Sequence, residues 1–178
     1  MRPTALIVTL RMDDASAAAL TALRSAHFPP SRNWLDAHIT LFHALPIAEL
    51  PRVREDMAEI ANRTAPFELD VDRVQFLGAG VAYAMSAPEA LRLREALATH
   101  WSGMLGAQDR QWRGPLHVTV QNKVRPEQAR ALHAELARDF VPWKVGATGL
   151  DLWYYMGGPW ERVGGFAFCG SASIREEA

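Results

Sequence analysis

Two histidines of this chain stand in matching settings. His38 opens HITL and His117 opens HVTV, so each is followed two residues later by a threonine, Thr40 and Thr119. Alternate side chains of an extended strand share a face. Each motif therefore puts its histidine and threonine on one face, and Ile39 with Leu41, or Val118 with Val120, on the other. The apolar face can pack the strand in place, which leaves the polar face to line a cleft. Two imidazoles and two hydroxyls suit in-line displacement at phosphorus. One imidazole takes a proton from the attacking water or sugar hydroxyl; the other gives a proton to the departing oxygen. An unperturbed imidazole pKa of about 6.5 lets one copy be base and the other acid near neutral pH. The hydroxyls can hold the non-bridging oxygens as charge builds on them. No carboxylate–histidine cluster at metal-ligand spacing accompanies either motif, so the chemistry is expected to need neither metal nor cofactor.

The flanking residues divide into candidates and bystanders. Trp34 lies four residues before His38 and Trp112 five before His117, each in a loop leading into a motif strand. Either could stack on a base at the cleft rim or cover the edge of the core. Arg110, Arg113, Lys123 and Arg125 flank the second motif and could receive phosphates. His43 stands at an odd offset from His38 and is expected to face away from it. His27, His100 and His133 fall in helical segments and read as surface or packing residues. Trp153 and Tyr155 share one strand face that could floor the cleft, although core packing is the simpler expectation. Cys169, the single cysteine, is expected to be a small buried residue.

The elements that must position these groups follow a repeated order. Strands are expected at Thr4–Leu10, His38–Leu45 and Phe67–Leu77, with helices over about 15–27 and from the Pro46–Pro51 segment to about Arg63. After Gly78 and Gly80 the order restarts: a strand at Val81–Met85, a helix from Pro88 to about Leu105, a strand at Leu116–Val124 and a helix from Pro126 to about Phe140. Lys144–Met156 and Val163–Ser171 read as closing strands. The two motifs are 79 residues apart, and the same offset places Leu6 on Met85 in the two opening strands. The implied fold class is α+β: one domain over 1–178 with a lobe-level repeat, about 1–78 and 79–178. Each lobe is a mainly antiparallel sheet with helices on its outer face, and a pseudo-twofold cleft lies between them.

Composition narrows the partners. With 19 Lys+Arg against 20 Asp+Glu the chain is nearly neutral, which argues against a long-duplex nucleic-acid binder. A single cysteine allows no internal disulfide and fits a reducing cytoplasm. The apolar start TALIVTL meets Asp13 and Asp14 and reads as a strand rather than a leader, and no apolar run is long enough to span a bilayer. A cytoplasmic monomer is expected, acting on an RNA end or a small nucleotide and not on a membrane.

HITL and HVTV resemble the paired H-h-T-h signature (h apolar) of the 2H phosphoesterase superfamily. The chain is most similar to the branch of 2′-5′ RNA ligases and RNA 2′,3′-cyclic phosphodiesterases. The resemblance implies a bilobal fold, a central cleft, and hydrolysis of cyclic phosphates or 2′-5′ linkages, with 2′-5′ ligation as the reverse reaction. It also implies that His38 is the proton donor and His117 the acceptor, and that Lys123 matches a basic residue following the second motif. After the first motif, RNA-specific members continue with an apolar residue and glycine, whereas this chain reads FHALP. Two other readings therefore stand beside the first. One is a cyclic phosphodiesterase acting on a small ADP-ribose-derived cyclic phosphate; the other is a binding module for RNA ends without turnover.

Overall fold

A computed structural model describes residues 2–171. β1 (Ala5–Met12) is buried along nearly its whole length because it lies inside the sheet, which explains its near-continuous apolar sequence. Asp13 then ends the strand and caps α1 (Asp14–His27): its carboxylate accepts from the Ser16 amide at 2.9 Å and from the Gly146 amide at 2.8 Å. β2 (Ile39–Leu45) carries the first motif, with His38 immediately before it. A single 3-10 turn leads into α2 (Leu50–Arg63), whose Val53, Met57 and Ala61 recur at helical spacing and are buried. β3 (Phe67–Phe76) and β4 (Val81–Ser86) form a hairpin, and α3 (Pro88–His100) starts on a proline at its first turn.

α3 ends at His100 rather than near Leu105. The indole of Trp101 is fully buried, lies 4.9 Å from the Phe42 ring and donates Nε1–H to Asp56 at 2.8 Å, and the chain turns there. The connection that follows contains a single helical turn, α4 (Ala107–Arg110). β5 (Leu116–Gln121) carries the second motif, α5 (Pro126–Arg138) follows, and β6 (Trp143–Tyr155) and β7 (Trp160–Ala167) close the fold. Cys169 is exposed, and Phe168 takes the buried position beside it.

All neighbouring strands pair antiparallel, in the order β2-β1-β6-β3-β4-β5, with β7 alongside β6. Exchanging β1 with β4, β2 with β5 and β3 with β6 reverses this order and leaves it unchanged. That is a pseudo-twofold relation. Its axis passes through the middle of the β3–β6 ladder, where Leu69 faces Val145 between the pairs Phe67–Ala147 and Val71–Trp143. Pairing links the first three strands to the next three: β3 joins β4, and β6 joins β1.

The register also refines the repeat. Thr9 lies opposite the first motif threonine and Ala82 opposite the second. The connection thus runs from 9 to 40 in the first half and from 82 to 119 in the second, six residues longer. Val8 is the counterpart of Val81, an offset of 73, so the offset of 79 that sets Leu6 on Met85 does not hold in the opening strands. One sheet face and the helices share a continuous core that includes Leu6, Val8, Leu10, Ile39, Leu41, Phe42, Met57, Leu97 and Trp101. Trp101→Ala should cost about 3–5 kcal/mol in urea unfolding; a loss under about 1 kcal/mol would show that this indole does not anchor β2.

Candidate active site

β2 and β5 lie at opposite ends of the strand order, yet they touch. The sheet therefore curls until its end strands meet, and the two motifs meet with them. Ile39, Leu41, Val118 and Val120 are fully buried, whereas His38, Thr40, His117 and Thr119 are each half-buried. The alternation expected of the H-h-T-h motifs is present in both strands.

The two imidazoles are held alike. Nδ1 of His38 lies 2.7 Å from the Asp36 carbonyl, and Nδ1 of His117 lies 3.3 Å from the Pro115 carbonyl. In both cases the partner is the carbonyl two residues back. A carbonyl can only accept, so Nδ1 carries the proton and Nε2 is left as the reactive atom of each ring.

Arg24 on α1 ties the motifs to one another. Its buried guanidinium donates to Asn33 Oδ1 at 2.8 Å and to the Leu35 carbonyl at 2.9 Å, in the loop before His38, and to the Thr119 carbonyl at 2.8 Å. Burial lowers its pKa, which Asp36 partly offsets; arginine remains cationic regardless. Desolvation, opposed by the hydrogen bond to the Asp36 carbonyl and helped by the positive charge of Arg24, pushes His38 down to about 4. Desolvation is also the main cause that lowers His117. With no anion bound, both rings are neutral at pH 7.

Aromatic rings floor the first motif. Trp160 lies 4.6 Å from the His38 ring and 6.1 Å from Trp153, whose Nε1–H donates to Thr9 Oγ1 at 2.9 Å, and Thr9 faces Thr40. Trp153 thus belongs to the site face and not to the core. On the same face Asp151 accepts from Arg11 Nη2 at 2.7 Å and from Arg162 Nη2 at 2.9 Å, which leaves one net positive charge. Neither Trp160 nor this ion cluster carries a sequence signal; β6 brings them to the β1 face beside the first motif by pairing with β1 and β7.

The other sequence candidates separate. Trp34 rests on Gly158 and keeps over half its surface exposed. With Phe28, Ser31, Arg32 and Lys123 it lines a pocket of about 420 Å³, so residues from the loop before the first motif and the turn after the second converge there. Lys123 adopts a left-handed backbone with φ 63°, supported by Asn122, whose Oδ1 accepts from the Lys123 amide at 2.7 Å. Trp112 lies over the buried guanidinium of Arg94, 4.2 Å from its ring centroid.

His43 overturns the parity expectation. Val8 pairs with Phe42 and the next residue, Thr9, with Thr40, so Leu41 is an extra residue in β2. Leu41 and Phe42 are both buried, the alternation shifts by one, and His43 returns to the face of His38 and Thr40. The same bulge follows the second motif, where Val81 pairs with Gln121 and Ala82 with Thr119. Among the described residues no group of three or more His, Cys, Asp or Glu side chains could hold a metal ion, and no helix is long and apolar enough to cross a membrane. NMR titration should find the His38 midpoint at about 4 in the free protein and moving upward when inorganic phosphate binds. A midpoint near about 6.5 without ligand would contradict desolvation as the dominant effect.

The sequence profile of the 2′-5′ RNA ligase superfamily matches residues 12–159. No curated protein matches the chain. Among solved structures, TT0787 of Thermus thermophilus is 17% identical, with a TM-score of 0.67 over 95% of this chain and 100% of that one. E. coli LigT complexed with 3′-AMP is 17% identical, with a TM-score of 0.59 over 94% and 99%. A crystal structure described as a phosphoesterase is 18% identical, with a TM-score of 0.60 over 93% and 99%. These likenesses establish a shared fold across nearly the whole length of each chain. The profile match over most of the chain establishes that it belongs to the 2′-5′ RNA ligase superfamily, the 2H phosphoesterases.

Proposed function

We propose that this protein is a cytoplasmic, metal-independent phosphodiesterase that opens a 2′,3′-cyclic phosphate, or cleaves a 2′-5′ phosphodiester, on an RNA end or small nucleotide. The observation that carries the reading is the matched pair of imidazoles, each tied through Nδ1 to the carbonyl two residues back and each left with Nε2 free. His117 Nε2 takes a proton from water as the water oxygen bonds to phosphorus. The phosphorus–oxygen bond to the sugar breaks, and His38 Nε2–H protonates the departing oxygen. One water is consumed, and the two rings exchange protonation states. Thr40 and Thr119 hold the non-bridging oxygens as their charge grows. With a sugar 5′-hydroxyl in place of water, the same step on a 2′,3′-cyclic phosphate forms a 2′-5′ linkage: His117 takes the hydroxyl proton, the bond to the 3′-oxygen breaks, and His38 protonates that oxygen.

His38 is neutral at pH 7 without ligand, so its donor role depends on the bound phosphodiester. An anion beside the ring favours the imidazolium, and substrate binding thereby arms the acid. A base stacked on the exposed Trp34, with its phosphate near Lys123, would use the pocket those residues share. That favours an RNA end over a small cyclic phosphate. The relative LigT is complexed with 3′-AMP, with NADP+ and with ATP in its own structures, and a nucleotide ligand suits this site as well.

Turnover of 2′,3′-cyclic AMP and of a cyclic-phosphate-ended dinucleotide, in EDTA, tests the proposal. His38→Ala and His117→Ala should each lose about 10²–10⁴-fold in kcat with the fold intact, and the dinucleotide should be preferred in kcat/KM. Wild-type turnover that either alanine variant retains would sink the two-histidine mechanism. Equal use of both substrates would remove the RNA-end assignment.

A further inference from the structure

His43 has no part in the two-histidine scheme, yet its surroundings are as well constructed as those of the motif histidines. Its Nδ1 lies 2.9 Å from Oδ1 of Asp109. The same carboxylate accepts from the His43 amide at 3.0 Å on both oxygens and from the Ala44 amide at 3.1 Å. Asp109 is 2% exposed. Desolvation raises its pKa, but the four bonds outweigh that and hold it below the usual carboxylate value, so the group is an anion. Arg94, itself buried, secures it from behind by donating to the Asp109 carbonyl at 2.8 Å and to the Leu41 carbonyl at 3.1 Å.

Closing the open edge of β2 requires only the two backbone bonds, which either oxygen can accept. The contact to the ring is additional. It fixes the imidazole with Nδ1–H towards Asp109 and Nε2 away from it. The bulge at Leu41 puts the ring on the face of His38 and Thr40. Asp109 belongs to the longer connection of the second half, so the first half has no equivalent of this buried anion. The matching position after the second bulge is Asn122, a neutral residue.

We propose that His43 is a third imidazole for the substrate: held by Asp109 through Nδ1, it donates from Nε2 to a non-bridging oxygen of the phosphodiester carried between His38 and His117. The inference rests on the phosphodiesterase reading above. An imidazolium between the Asp109 carboxylate and a phosphate has an anion on each side, the arrangement that suits it best. Once the phosphodiester is bound, that imidazolium donates from Nε2 while Asp109 holds Nδ1–H. Its role is binding and orientation, not transfer of the proton that makes or breaks the ester.

The test is binding of inorganic phosphate by NMR, with steady-state kinetics on the cyclic-phosphate dinucleotide, for wild type, His43→Phe, His43→Gln and His38→Ala. The His43 ring resonances should shift on saturation with phosphate in the wild type. His43→Phe should weaken phosphate and raise KM by about tenfold or more, with a smaller loss in kcat. His43→Gln, which keeps a donor in place, should recover part of that loss; it also stands in if the phenylalanine variant does not fold. Unchanged phosphate affinity and KM in a folded His43 variant would overturn the proposal. If His38→Ala loses phosphate while the His43 variants keep it, only this inference fails. If wild type binds no phosphate, both readings fall.

Discussion

The guanidinium of Arg24 is the tie on which the site depends. It reaches from α1 into the gap between two strands that sit at opposite ends of the sheet order, and it donates to the loop before His38 and to the backbone of β5. Curling a sheet until its end strands meet leaves backbone carbonyls facing a closing, water-poor gap. An unsatisfied carbonyl there would cost about 1–3 kcal/mol. One planar cation with several donors in fixed directions satisfies groups on both sides at once and sets their spacing. Its charge also discourages a proton on His38, so the group that assembles the motifs helps keep that ring neutral until an anion arrives.

Around that tie the molecule is symmetric in construction and asymmetric in chemistry. The palindromic strand order gives both histidines the same local geometry, with Nδ1 satisfied by the carbonyl two residues back and a bulge after each motif. Acid–base catalysis needs the two rings to differ, and the asymmetry comes from what packs beside them. Trp160 and the Asp151 ion cluster lie on the side of the first motif. The six extra residues of the second connection bring Asp109 across to β2. A duplicated scaffold thus supplies two similar imidazoles, and unshared loops and strands make their surroundings unequal.

Much of this was legible in the residues. The H-h-T-h pattern sets a half-buried strand with its polar positions aligned, and burial follows it residue for residue at 38–41 and 117–120. Proline and aspartate at helix starts place α1, α2, α3 and α5 close to where they lie. The exchange of β3 and β6 between the halves was not legible, because strand partners depend on how the whole sheet closes and not on the strands' own sequences. For the same reason Trp153 and Trp160 could not be placed beside His38. Parity along β2 misplaced His43, since strict alternation assumes an unbroken ladder and a bulge inserts a residue without a distinct sequence signal. Cys169 was misplaced by one position, with Phe168 taking the core site.

The central claim is that two imidazoles act as an acid–base pair, and the pH dependence of kcat/KM tests it most directly. Wild type should give a bell-shaped profile whose limbs belong to the pair. His38→Gln and His117→Gln should each leave a low residual rate with one limb missing, and the missing limb should differ between them. A wild-type profile that is flat between about pH 5 and 9, or two variants that both keep the full bell, would contradict the account.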